Sequence, residues 1–110
     1  MCTIKSPREI DRIFREAERS AHPLLVALAT ATPDGRGPCG RVVVVAGKRL
    51  GIAVLRNRSK RVLREAVRRA GGPWRGFDVV LVAKTPVATA TPADIDMALR
   101  SVLRKLGVLS

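Results

Sequence analysis

Aromatic side chains are scarce in this sequence, and their scarcity limits what the chain can be. Its 110 residues include two Phe, one Trp and no Tyr. A core therefore has to be built from Val, Leu, Ile and Ala, and a helix lying in a membrane interface would lack its usual aromatic anchors. The apolar fraction of 46% still permits a modest core, and the length indicates one domain over residues 1–110.

Residues that hold metals or act as nucleophiles are also few. The two cysteines, Cys2 and Cys39, are far apart, and the single His22 does not complete a zinc site with them. We expect two unpaired thiols in a reducing cytosol. Asp94 and Asp96 would point about 200° apart on a helix, so they could not share a metal ion. The sequence predicts no metal site and no catalytic residue in this chain.

Long apolar runs are missing as well. No uncharged stretch approaches the roughly 20 residues that a membrane-spanning helix requires. The N-terminus, MCTIKSPREIDRIF, carries charges early and lacks the apolar segment of a signal peptide. These features predict a cytoplasmic protein with no membrane partner.

Acidic residues are too few to balance the basic ones. The chain has 9 Asp and Glu against 21 Lys and Arg, and its formal net charge is +12. The excess is concentrated between Arg41 and Arg69, where ten cations accompany one acid, Glu65. A strong positive charge indicates which partners a protein binds, although it says nothing about the fold. Nucleic acid is the first candidate partner, and an anionic membrane surface is the second.

Apolar patterns and turn residues predict the elements of the first half of the chain. Ser6, Pro7 and Glu9 form the pattern of a capping box, and the apolar stripe that follows predicts a helix over about 7–19, with Ala17 and Ala21 continuing the stripe. Short apolar runs predict strands at 24–29 and 42–45. We expect these two strands to pair as a hairpin across the turn-rich residues 32–38.

The second half alternates helix, strand and helix. A basic helix is predicted over about 55–70, where Gly71-Gly72-Pro73 stops it, and a buried strand over 79–83. A Pro- and Thr-rich linker over 85–92 leads to a capping box at Thr91–Asp94 and a last helix that ends at Gly107. Because the basic helix connects the strand at 42–45 to the buried strand at 79–83, we expect these two strands to pair in parallel.

The basic helix has two faces when its residues are placed at 100° intervals. The predicted core face consists of Leu55, Val62, Leu63, Ala66, Val67 and Ala70. The opposite face consists of Asn57, Arg58, Lys60, Arg61, Arg64, Arg68 and Arg69, interrupted only by Glu65. A solvated helix usually mixes acids with bases at i,i+4, so this pattern favours phosphate binding over a solvated surface. Asn57 is either a helix-start residue or a hydrogen-bonding group for RNA.

The same helix carries a family resemblance. The segment AVLRNRSKRVLREAVRR, from Ala53 to Arg69, resembles the A-V-x-R-N-R-x-K-R-x-x-R-E signature of the bacterial ribonuclease P protein component. Three more blocks are similar to the family's motifs and occur in the same order: EIDRIF at 9–14, GKRLG at 47–51 and GFDVVLVAK at 76–84. Ile10 stands where the family usually has an aromatic residue, and Gly47 and Ile52 replace usual polar residues.

The resemblance implies a fold and its element order. The fold class is α+β, a two-layer α/β sandwich also known from a ribosomal protein, with the order α-β-β-β-α-β-α. It includes a left-handed β-α-β crossover around the basic helix. This order requires a third strand before that helix, which we place near Ser20–His22.

The implied function is that of a protein subunit that helps ribonuclease P remove the 5′ leader of precursor tRNA, with catalysis and Mg²⁺ in the RNA subunit. The resemblance assigns RNA binding to the basic helix, through Arg56, Asn57, Arg58, Lys60, Arg61, Arg64 and Arg68, and to Lys48 and Arg49 in the flanking loop. Ile10 and Phe14 would line a cleft for the single-stranded leader. The expected partners are the RNA subunit and precursor tRNA, and no DNA.

Two other functions fit the charge pattern. A non-catalytic RNA-binding module, of the ribosomal or RNA-chaperone type, would use the same face without an enzyme. A peripheral membrane helix is disfavoured, because the apolar face of the basic helix is needed for the core. His22 is expected to be structural or solvent-facing, and Trp74 to pack over the end of the basic helix rather than stack on a base.

Overall fold

The structure is a computed structural model that describes residues 6–31, 40–46 and 53–109. Its elements are α1 (Pro7–Glu16), β1 (Glu18–Ala21), β2 (Leu25–Ala31), β3 (Arg41–Ala46), α2 (Ala53–Arg69), β4 (Phe77–Ala83) and α3 (Pro92–Lys105). The α-β-β-β-α-β-α order is confirmed, and β1 is the short third strand that this order required. The predicted linker contains a short 3-10 helix at Thr85–Ala88, and its Val87 is fully buried.

The strands of the described part form one sheet in the order β1-β2-β4-β3. β1 and β2 are antiparallel, β2 and β4 are antiparallel, and β3 and β4 are parallel, as the basic helix between them predicted. The predicted hairpin between the second and third strands is wrong, because β4 lies between β2 and β3. Val79, Val80 and Leu81 of β4 have no exposed surface, and a strand that is this apolar is best covered when it has a neighbour on each side.

One face of the sheet is covered by α2 and α3. Alternate residues of the strands point to this face, and they pack against the apolar sides of both helices. The largest fully buried side chains in this cluster are Leu25, Leu63, Leu81, Leu99, Leu103 and Ile95. The sheet and these two helices form the main layers of the sandwich.

The opposite face of the sheet carries α1. Ile13 of α1 is fully buried and packs with Leu28 and Val80. Val26, Val43, Val45 and Val82 surround this small cluster and are only partly buried. One ten-residue helix therefore covers part of this face and leaves apolar surface beside it.

Several element ends differ from the sequence predictions. α1 ends at Glu16 rather than near 19, because residues 18–21 pair with β2, and Ala21 is an exposed strand residue. Ser6 occupies the N-cap position of α1, but its side chain makes no capping hydrogen bond within the described part of the chain. At α3 the predicted cap is confirmed, since Thr91 Oγ1 accepts a hydrogen bond of 3.1 Å from the Asp94 amide.

The glycine residues predicted as stop signals are confirmed. Gly71 has φ of +86° just after α2, and Gly107 has φ of +78° just after α3. This left-handed backbone is strained for residues with a Cβ, and it ends a helix by turning the chain away from the helical path.

Candidate nucleic-acid interface

The basic helix α2 is anchored by a narrow apolar side. Leu63, Ala66 and Val67 are fully buried, and so is Ser59, whose hydroxyl donates a 2.9 Å hydrogen bond to the Leu55 carbonyl one turn earlier. This satisfies a polar group that the core would otherwise leave unpaired. Leu55 was predicted in the core but is 41% exposed, because it lies in the first turn, ahead of the part that packs on the sheet.

The outer face of α2 lies in solvent. Five of the predicted RNA-binding side chains are exposed there: Asn57, Arg58, Arg61, Arg64 and Arg68. Lys60 is half-buried at the edge of this face. We call these six residues the α2 cationic face, and they are six of the seven residues of the helix that were predicted to bind RNA.

Arg56 has a different position from the other predicted residues. Its side chain is half-buried at the margin of the apolar side, and its Nε is buried with no hydrogen-bond partner among the described residues. Lys48 and Arg49, the predicted contacts in the flanking loop, lie outside the described residues, as do Cys2 and Cys39.

The positive charge of the α2 cationic face is not neutralised within the described part of the chain. None of its cations forms an ion pair there, and Glu65 is the one acid on the exposed side. Arg69, at the end of the helix, behaves differently, because it pairs with Asp96 of α3, with Nη2 2.9 Å from Oδ1. The hydrogen bond to Asp96 raises the pKa of Arg69 above its ordinary value.

A second charged group lies on the α1 face of the sheet. Arg41 and Asp78 are directly opposite each other on the parallel strands β3 and β4. Arg41 donates from Nη2 to Asp78 Oδ2 at 2.7 Å and from Nη1 to Glu9 Oε2 of α1 at 2.6 Å. The Asp78 side chain is fully buried, and that of Arg41 is only 12% exposed. We call Glu9, Arg41 and Asp78 the ion cluster.

The ion cluster ties α1 to the sheet. The hydrogen bond to Asp78, followed by the one to Glu9, raises the pKa of the Arg41 guanidinium above its ordinary value. The sequence prediction missed this group, although a signal was present. Arg41 and Asp78 each stand just before an apolar strand run, and equivalent positions in adjacent parallel strands come side by side.

Ile10 and Phe14, the predicted leader-cleft residues, lie on α1. Ile10 is half-buried and packs against the cluster around Ile13, whereas Phe14 is 36% exposed. Arg19 of β1 donates a 3.2 Å hydrogen bond to the Phe14 carbonyl, and its strand position opposite Leu28 puts it on the same face of the sheet. α1, with its exposed Phe14, therefore lies on the same face of the sheet as the partly buried valines and Arg19.

His22 and Trp74 have structural positions, as predicted. His22 Nδ1 accepts a 3.1 Å hydrogen bond from the Leu24 amide in the turn between β1 and β2. Trp74 is 7% exposed, packs in the core beside α2, and donates from Nε1 to the Ala70 carbonyl at 3.2 Å. Burial of the Trp74 ring leaves it little surface on which a base could stack.

The described residues contain no group of three His, Cys, Asp or Glu side chains that could hold a metal ion. Within the same residues, no helix combines the length and the apolar character that crossing a membrane requires.

Comparison with known proteins gives the same result from sequence and from structure. The ribonuclease P family model matches residues 2–107. The ribonuclease P protein component of Herpetosiphon aurantiacus is 35% identical over 103 residues, which cover 93% of this chain and 81% of that protein. The one from Geobacillus kaustophilus is 33% identical over 109 residues, covering 96% and 87% of the two chains.

Solved structures show the same fold. The RNase P protein of Staphylococcus aureus superposes with a TM-score of 0.84 at 25% identity, covering 100% of this chain and 99% of that one. The RNase P protein of Thermotoga maritima superposes with a TM-score of 0.77 at 23% identity, over 100% and 99% of the chains. The fold is thus that of a mixed α+β protein with an open sheet and a basic helix. The chain belongs to the ribonuclease P protein component family.

Proposed function

We propose that this chain is the protein subunit of a ribonuclease P ribonucleoprotein in the cytoplasm. It would bind the RNA subunit and the 5′ leader of precursor tRNA, and so assist removal of that leader. The observation that carries the proposal is the α2 cationic face, whose five cations, four of them exposed, form no ion pair among the described residues. Such an array lowers its electrostatic free energy by contacting a polyanion.

RNA fits the α2 cationic face better than other polyanions do. Arginine outnumbers lysine there, and the guanidinium group bonds phosphate through two N–H groups and stacks on unpaired bases. The exposed Asn57 amide adds a donor and an acceptor within the same surface. Family membership supports the RNA subunit of ribonuclease P as the molecule that docks there.

We assign the second binding surface, for the leader, to the α1 face of the sheet. The partly buried valines beside α1 and the exposed Phe14 offer apolar contact to bases of a single strand, and Arg19 offers charge to its phosphates. This surface lies across the sheet from α2, so the two RNAs would contact opposite sides of the protein.

Hydrolysis and Mg²⁺ are assigned to the RNA subunit. Cleavage of RNA by a protein needs a general acid and base or carboxylates that hold metals, and the described residues offer no such carboxylate cluster. The protein would contribute positive charge and binding of the precursor tRNA. By reducing repulsion between phosphates, it would lower the concentration of Mg²⁺ at which the RNA subunit is active.

Reconstitution tests this assignment. The protein alone should not cleave precursor tRNA, whereas the protein with its genome's own RNA subunit should cut once, at the mature 5′ end, at a Mg²⁺ concentration where the RNA alone is slow. Robust metal-dependent cleavage by the protein alone would contradict the proposal. Binding of RNA with no change in cleavage or in leader affinity would support a non-catalytic RNA-binding module instead.

Charge reversal tests the docking surface separately. Changing Arg58, Lys60 or Arg64 to Glu should weaken binding of the RNA subunit. Each change should reduce the slope of log K against log salt by about one, the value for one lost phosphate contact. Arg15→Glu is the matched control, because Arg15 is an exposed arginine of α1 on the other side of the sheet. Equal losses from all of these variants would indicate a general charge effect and remove α2 from the interface.

A further inference from the structure

A pocket at the C-terminal end of α2 lies beyond the surface described so far. It is open to solvent, has a volume of about 260 Å³, and is lined by Arg69 and Ala70 of the α2 end, Arg100 and Arg104 of α3, and Leu109. Three of its five lining residues are arginines. The sequence prediction did not include Arg100 or Arg104, because they belong to the C-terminal helix rather than to the basic one.

The three arginines of this pocket have one carboxylate partner among the described residues, Asp96. Asp96 is engaged by Arg69, whose Nε lies 3.0 Å from both carboxylate oxygens. Arg100 and Arg104 are exposed, and within the described residues neither forms an ion pair or a side-chain hydrogen bond. They are four residues apart on one helix, where like charges repel each other. Among the residues that the structure describes, the pocket therefore presents two guanidinium groups without an ion-pair partner.

The position of the pocket connects it with the α2 cationic face. Arg68 and Arg69 are consecutive on α2, so their side chains leave the helix about 100° apart. Arg68 stays exposed on the outer side, and Arg69 reaches α3 through Asp96. The cations at the end of α2 are thus joined to α3 through the Arg69–Asp96 pair, and Arg69 lines the same pocket as Arg100 and Arg104.

We propose that Arg100 and Arg104, beside Arg69, bind a phosphate group of RNA in this pocket and extend the docking surface from α2 onto α3. Arginine is suited to this because its planar fork makes paired hydrogen bonds to phosphate oxygens. Asp96 would act indirectly, by holding the Arg69 side chain at the rim. The inference rests on the proposed function, since it takes the same RNA subunit as the ligand.

The test measures binding of the RNA subunit to the full chain as a function of salt concentration. Arg100→Gln and Arg104→Gln should each weaken binding several-fold, and the double variant should reduce the slope of log K against log salt by up to about two contacts. Lys105→Gln is the matched control. Lys105 is exposed on the same helix and carries the same charge, but it does not line the pocket. It should leave the slope unchanged.

A parallel pair of variants separates failure of this inference from failure of the proposed function. Arg61→Gln and Arg64→Gln remove cations of the α2 cationic face, and they should lower the slope if RNA docks there. If they do so while Arg100→Gln and Arg104→Gln match Lys105→Gln, the α3 site is refuted and the docking surface stands. If none of the variants changes the slope, both proposals are refuted. Because Arg100 and Arg104 are exposed, unchanged thermal unfolding should confirm that these variants are folded.

Discussion

Replacement of Arg41 by Met should destabilise this protein more than the loss of any exposed ion pair. The substitution keeps an unbranched side chain but removes the guanidinium group that bonds Asp78 and Glu9. The Asp78 carboxylate has no exposed surface, so it cannot recover this interaction from solvent without a rearrangement of the strands.

The size of the effect follows from burial. Removal of one partner from a buried ion pair typically costs about 3–5 kcal/mol, because the other charge remains buried with less compensation. A domain of this size has a free energy of unfolding of roughly 5–15 kcal/mol, so the variant would lose a large part of it. The corresponding fall in Tm is roughly 10–20 °C.

Urea unfolding monitored by circular dichroism measures this loss directly. Arg69→Met is the matched control, because it breaks a pair whose side chains are 40% and 27% exposed and should leave the midpoint almost unchanged. The double variant Arg41→Met with Asp78→Leu should recover part of the lost stability, since the buried Asp78 charge is then removed and Glu9 is the charged member of the ion cluster that stays. A loss for Arg41→Met as small as that for Arg69→Met would refute the view that burial makes the ion cluster important.

Three further predictions concern single side chains. Gly40→Ala should prevent or severely weaken folding, because a Cβ there would overlap the Trp74 and Phe77 carbonyls. Gly76→Ala should cost only about 1–2 kcal/mol of unfolding free energy, because Gly76 has φ of +83° but open space around it. Thermal melts of the two variants measure the difference. Thr91→Ala should cost about 1 kcal/mol in urea unfolding and Ser6→Ala almost nothing, because only Thr91 makes a capping bond; equal losses would contradict this. Ile10→Phe should tighten binding of a precursor tRNA that has a leader but should not tighten binding of mature tRNA. Fluorescence titrations with the reconstituted enzyme measure both affinities. An equal gain for the two tRNAs would place Ile10 outside the leader cleft.

The sequence predicted the helices better than the sheet. Helical features depend on contacts between residues a few positions apart, and a local sequence pattern records them. They include the two faces of α2, the burial of Ala98, Leu99 and Val102 in α3, and the helix ends at Gly71 and Gly107. Strand order depends on pairing between distant segments. The apolar runs of β2 and β3 were correctly identified as strands, but nothing local in either run shows that β4 separates them.

The candidate interface was predictable to a similar degree. Helical periodicity placed Arg58, Arg61, Arg64 and Arg68 on one exposed face, since one helix carries them all. It could not show that Arg69 turns toward Asp96, because that pair joins two helices. Surfaces composed from several elements, such as the ion cluster, require the register of the sheet before their members can be recognised.

The position of β4 in the sheet has a consequence for the biosynthesis of this protein. β4, one of the two inner strands, is the last of the four described strands to leave the ribosome. It pairs with β2, Leu25 with Ala83 and Ala31 with Phe77, so it joins a partner made about 50 residues earlier. Until then only the two-stranded β1–β2 unit can assemble, and an isolated hairpin is marginal in water. The strongly basic α2 is thus translated before the sheet that will support it exists, and a nascent chain ending before Phe77 should remain unfolded and sensitive to proteases.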